Sequence, residues 1–145
     1  MDNSDRETVA GKPATKILPK SQHNVLPAGS RIGEYRIVEL VASGGMSQIY
    51  KAIQTTMDRA VALKVLRSRY HLDSYRFANE VRMSGRLNHP NIVSAIDAGE
   101  EGGISYLSMA FIEGIDLGDL IAEKQMSESE VVGVMLPVAE ALQYA

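Results

Sequence analysis

Two residues of opposite charge stand where the surrounding pattern calls for apolar ones. In Ala60-Val61-Ala62-Leu63-Lys64-Val65-Leu66 every residue except Lys64 is apolar. Strand alternation puts Lys64 on one face with Ala62 and Leu66, where its ammonium loses water and needs an anion. Glu80 has the same difficulty with the opposite sign, because helical spacing puts it on the stripe of Phe77, Val81, Ser84 and Leu87. The economical solution is a Lys64–Glu80 pair across a sheet–helix interface. On these residues alone two readings stand side by side: a structural ion pair or snorkelling lysine, and a charge held ready for chemistry. Ser43-Gly44-Gly45 is equally two-sided. Glycines between strands commonly just make a turn. They also let backbone N–H groups come close to anionic oxygens, as a phosphate-cradling loop requires.

The elements that must position these groups are readable along the chain. Residues 35–41, 48–53 and 60–66 are rich in strand formers and are separated by turns at 43–45 and 55–59. A helix begins near Asp73 or Ser74, either of which can cap it, and Asn88-His89-Pro90-Asn91 ends it. Residues 92–96 and 104–109 read as a hairpin around Glu101-Gly102-Gly103. A short helix is expected over 117–124. Ser127-Glu128-Ser129-Glu130 is a capping box opening an apolar helix to the last residue, with Pro137 inside it. Residues 1–28 read as a disordered tail. Short turns between neighbouring strands predict an antiparallel sheet, hence an α+β fold.

Bulk properties exclude several functions. With 45% apolar and 23% charged residues, the 145-residue chain has globular composition. A net charge of −3 lacks the basic excess of a nucleic-acid binder. The absence of cysteine removes disulfides, thiolate metal sites and a thiol nucleophile together. His23, His71 and His89 do not make metal-ligand spacing. No apolar run reaches the roughly 20 residues of a membrane span, and no secretory h-region opens the chain. The expected compartment is therefore cytoplasmic.

The combination is more specific than its parts. A glycine hairpin, then Val61-Ala62-Leu63-Lys64, then a helix with an inward glutamate resembles the signature set of protein kinases, especially bacterial eukaryotic-like serine/threonine kinases. Gly44-Gly45-Met46-Ser47-Gln48-Ile49-Tyr50-Lys51-Ala52, Arg76-Phe77-Ala78-Asn79-Glu80, Leu87-Asn88-His89-Pro90-Asn91-Ile92-Val93 and Tyr106-Leu107-Ser108-Met109-Ala110-Phe111-Ile112-Glu113-Gly114 carry the resemblance. It implies a small lobe over 33–109, with a five-stranded antiparallel sheet and one long helix. A hinge over 110–116 and the first helices of an incomplete large lobe over 117–145 would follow. It also implies ATP as ligand, with Lys64 on the α- and β-phosphates and Glu80 as its partner. Ala42, Ser43, Gly44, Gly45, Met46 and Ser47 would form the phosphate loop. Val41, Ile49 and Ala62 would sandwich the adenine. Met109 matches the gatekeeper, and Ala110, Phe111 and Ile112 the segment whose backbone meets the adenine edge.

The departures from that family are informative. Ala42 and Ser47 stand at the outer positions of G-x-G-x-x-G, which predicts a weakened phosphate grip, with a cost of roughly a kcal/mol where φ is positive. Ala110 replaces a common acidic residue, a mild change because backbone makes that contact. The aspartate that orients the substrate hydroxyl, the asparagine and the Mg²⁺-binding aspartate would all follow residue 145. Asp97-Ala98-Gly99 is superficially like Asp-Phe-Gly, but it precedes the hinge and fits a strand end and turn, so it is not read as a metal site. Val131, Val134, Met135, Val138 and Leu142 would pack into the large lobe, so an exposed apolar face is expected. Three functions follow from the resemblance: a kinase-domain portion with a partial ATP site that does not transfer phosphate alone, a non-catalytic interaction module docking a protein through its last helix, or part of a longer kinase reading frame.

Overall fold

Alternation with a period of two organises the first half of the chain. The structure, a computed structural model, describes residues 25–66, 71–123 and 126–145. Four strands come first: β1 (Arg31–Ile32), β2 (Tyr35–Ser43), β3 (Ser47–Gln54) and β4 (Arg59–Leu66). Helix α1 (His71–Ser84) follows, then β5 (Ala95–Glu101), β6 (Ile104–Ala110), α2 (Leu117–Glu123) and α3 (Glu128–Tyr144). The sheet order is β1-β2-β3-β4-β6-β5, with every pairing antiparallel. The α+β expectation holds. The sheet has six strands rather than five, because the two residues of β1 are too short a run to register as a strand. Their turn at Gly33 uses a left-handed φ of 53° that glycine adopts freely.

One face of the sheet makes the core. Ile32, Tyr35, Ile37, Tyr50, Ala52, Val61, Leu63 and Val65 are all buried there. Two tyrosines take polar atoms inside and satisfy them. The Tyr50 hydroxyl donates to Gln48 Oε1 at 2.9 Å and accepts from the Leu26 N–H at 3.0 Å. The Tyr35 hydroxyl donates to Asp97 Oδ2 at 3.2 Å, and its ring meets Tyr106 edge-on at 5.4 Å. Burial, reinforced by the Asp97 carboxylate, pushes the Tyr35 phenol up to about 12. Of the tail expected over 1–28, residues 1–24 lie outside the described residues. Leu26 packs against the core.

The hairpin of β5 and β6 forms, but β5 begins at Ala95 instead of Ile92. The Ile92 N–H donates to the His89 carbonyl at 3.1 Å, so that residue belongs to the turn after α1. The strand that follows is an edge strand carrying Asp97, Glu100 and Glu101, all exposed. It has no apolar alternation to announce it, and its charges suit an unpaired edge. Helix α1 begins two residues before the expected cap and buries Phe77, with Glu80 and Val81 half-buried on the same side.

Helix α3 opens with the expected capping box. Ser127 accepts from the Glu130 N–H, and the Glu130 carboxylate accepts from the Ser127 N–H at 2.9 Å. The helix runs on through Pro137. Near its end, the Tyr144 hydroxyl accepts from the Asn88 N–H at 3.2 Å while its ring lies 5.2 Å from His89. Those contacts tie α3 to the turn after α1. Ala141 is buried, whereas Val131, Met135, Leu136, Val138 and Leu142 are exposed. An apolar groove of about 550 Å³ lies between α2 and α3, lined by Leu117, Ile121, Met126, Val131, Val134 and Met135.

Candidate functional site

Residues paired across an antiparallel ladder project to the same side of the sheet. Ile49 pairs with Lys64, and Lys64 with Leu107. Lys51 pairs with Ala62, and Ala62 with Met109. These two rows put Ile49, Ala62, Lys64 and Met109 together on the face opposite the core. Val41 lies beside them at a β-bulge between Leu40 and Ala42, with over half its surface exposed. An apolar patch thus surrounds Lys64, and a second cation, Lys51, stands on the same face beside Ala62. Helix α1 brings Glu80 to this face, and its carboxylate accepts a hydrogen bond from the Lys64 ammonium. The side chains are 20% and 38% exposed, respectively. The ammonium is therefore held by a carboxylate yet remains open to a second anion.

The β2–β3 turn lies at the end of the Ile49–Lys64 row. The Gly44 N–H donates to the Ser47 carbonyl at 2.9 Å, which closes the turn. Neither Gly44 nor Gly45 occupies the left-handed region. A Cβ on Gly44 would meet only the Ser47 carbonyl, at 3.5 Å, and one on Gly45 would meet nothing within 4 Å. The fold itself therefore does not demand these glycines. The strain considered for Ala42 and Ser47 does not arise, because Asp58 is the sole non-glycine residue with positive φ among those described.

At the other end, Met109 and Ala110 close β6 and the chain leaves the sheet. The Ala110 N–H donates to the Ser94 carbonyl at 3.0 Å. Ile112 is exposed, and among the described residues neither its N–H nor its carbonyl is hydrogen-bonded within the chain. The Phe111 ring faces β3, with Lys51 Nζ 4.6 Å from its centroid. Sequence reasoning overlooked Lys51, because its partner lies far along the chain. Its register opposite Ala62 is the signal that could have found it.

Asp97 lies inside β5 opposite Ser108, on the core side, and accepts from Tyr35. It belongs to a strand and is separated from Lys64 by the sheet. Among the described residues, no cluster of His, Asp or Glu is arranged to hold a metal ion. No helix there is long and apolar enough to cross a membrane. This face thus offers a fixed cation beside an open-backbone turn, an apolar strip, and peptide groups without a hydrogen bond at the far end. That arrangement suits a flat, partly apolar ring carrying an anionic chain.

The protein kinase domain model matches residues 35–145. Serine/threonine-protein kinase PrkC of Bacillus subtilis (strain 168) is 38% identical over 122 residues, covering 81% of this chain and 19% of that protein. Serine/threonine-protein kinase pkn3 of Myxococcus xanthus is 36% identical over 114 residues, covering 75% and 21%. The crystal structure of the Mycobacterium tuberculosis PknI kinase domain superposes with a TM-score of 0.68 at 28% identity, covering 83% of this chain and 51% of that one. The chain thus spans about a fifth of the curated relatives and half of the solved domain. It belongs to the protein kinase family, as the N-terminal portion of a bacterial-type serine/threonine kinase domain.

Proposed function

We propose that this chain forms the ATP-binding lobe of a serine/threonine kinase and that these 145 residues bind the nucleotide without transferring its phosphate. The observation that carries the reading is the Lys64–Glu80 pair, set on one face with Ile49, Ala62 and Met109. In this reading Glu80 holds Lys64, and Lys64 neutralises the α- and β-phosphates. The backbone of residues 42–47 borders the phosphates, with side chains at Ala42 and Ser47 weakening that grip. Val41, Ile49 and Ala62 cover the adenine faces. The Ala110 carbonyl and the Ile112 peptide groups bond its edge, and Phe111 lies between them. Kinase chemistry uses Mg²⁺ on the phosphates, but the described residues lack the carboxylate set to hold it. A nucleoside triphosphate as ligand suits a cytoplasmic lobe.

The test is γ-phosphate transfer from ATP to a generic serine/threonine substrate by the purified chain. No turnover above background is expected. Robust turnover that Lys64→Ala abolishes would contradict the proposal.

A second reading is favoured by the uncovered apolar surface of α2 and α3, where Ile121, Met135 and Leu142 are exposed. In it the lobe is a non-catalytic module that docks a protein partner through α3. Mg²⁺-ATP titration separates the two. A chain that neither binds the nucleotide nor gains thermal stability from it supports the module.

A further inference from the structure

We propose that Lys51 is a positioning residue for the nucleotide: seated on the Phe111 ring, its ammonium holds the segment after β6 in place against the sheet. The inference deepens the ATP-binding reading and rests on it. Lys51 lies on β3, with Glu39 and Ala62 as its neighbours across the sheet. A carboxylate is therefore available one strand away. Among the described residues Lys51 forms no ion pair, and its Nζ lies over Phe111 at 4.6 Å from the ring centroid. That distance is within the range where an ammonium is attracted by an aromatic face.

The position of Phe111 gives the contact its consequence. On one side of it, Ala110 is anchored by its N–H on the Ser94 carbonyl. On the other, Ile112 has no hydrogen bond to the rest of the described chain. Downstream of Ala110, the Phe111 side chain is thus the grip that fixes where the Ile112 peptide groups stand. Those are the groups that would read the edge of a flat base. Ala62, on the adenine-facing strip, sits between Lys51 and Met109 in the same row of the sheet. The Lys51–Phe111 contact therefore fixes the spacing between this strip and the peptide groups after β6. Removing it loosens that spacing without touching Lys64, Glu80 or the glycine turn.

The experiment uses the full chain and measures adenosine and Mg²⁺-ATP affinity for wild type, Lys51→Met, Lys51→Arg, Phe111→Leu and the Lys51→Met/Phe111→Leu double variant. A contact of this kind is expected to weaken adenosine and ATP equally, by roughly two- to fivefold, in Lys51→Met. Lys51→Arg should keep wild-type affinity, and the double variant should be no worse than the weaker single one. Loss of ATP affinity with adenosine unchanged, growing at low salt, would show Lys51 acting on the phosphates and overturn the proposal. Additive losses in the double variant would overturn it too. NMR of the labelled chain supplies a readout without nucleotide: the Phe111 ring and Ile112 amide signals should shift in Lys51→Met, and unmoved signals refute the positioning role. A wild-type chain that binds neither ligand would sink the ATP-binding reading instead, leaving those signals to judge the Lys51–Phe111 contact.

Discussion

Replacing Gly45 by alanine should move stability and nucleotide affinity in opposite directions. The residue lies outside the left-handed region, and a Cβ there would touch nothing within 4 Å. An alanine fits the native backbone and restricts the unfolded chain, which stabilises by about 0.4–1 kcal/mol. For a domain of this size that raises the melting temperature by about 2–5 °C. The same methyl group intrudes where backbone N–H groups would approach phosphate oxygens. A loss of one such approach corresponds to about tenfold weaker ATP binding, or about 1.4 kcal/mol. Adenosine, which has no phosphates, should bind both proteins alike. Thermal melting without ligand, followed by calorimetric titration with each ligand, reads all three numbers. A Gly45→Ala protein that melts several degrees lower and binds ATP as before would show that the glycine serves the turn alone.

Other perturbations reach other parts of the molecule. Lys64→Met should cost only about 1 kcal/mol of stability, because the partly exposed Glu80 carboxylate can return to water, yet lower ATP affinity tenfold or more; unchanged affinity in a titration would make the pair purely structural. Because the Tyr35 phenol is raised from 10.0 to about 12, the folded state keeps a proton that the unfolded state releases. Stability should therefore fall as pH rises through that window, with a slope of up to about 1.4 kcal/mol per pH unit. Urea midpoints at pH 9 and 11 should fall less in Tyr35→Phe than in wild type, and parallel declines would refute the burial argument. Gly99→Ala would bring a Cβ to 2.7 Å from the Tyr106 hydroxyl and 3.0 Å from Cζ. It should destabilise by about 1–3 kcal/mol, with partial recovery in a Tyr106→Phe background, as measured by denaturant unfolding.

The sequence revealed the charged pair because each charge breaks an apolar period, and a broken period is a local signal. The core strands and capped helix were equally local: β3 and β4 are runs of strand formers bounded by turns, and Ser127 and Glu130 stand at capping-box spacing. What escaped was set by tertiary contacts. Strand β1 exists because Ile32 drops into a core built by β2, β3 and β4. Strand β5 is held by pairing to β6 and carries polar residues that no periodicity marks. The Lys51–Phe111 contact depends on sheet register, which fixes which side chains of β3 face the segment after β6. Strain at Ala42 and Ser47 was considered from a motif, whereas the backbone there is not left-handed.

Whether the face bearing Lys64 takes a nucleotide can be read residue by residue from an NMR titration of the labelled chain with Mg²⁺-ATP. Saturable shifts are expected at Gly44, Gly45, Lys64 and Ile112, with Tyr35 and Asp97 on the opposite face unmoved and the midpoint raised tenfold or more in Lys64→Met. Saturation that leaves those four amides unmoved, or shifts centred on the α2–α3 groove, would contradict nucleotide binding at this face.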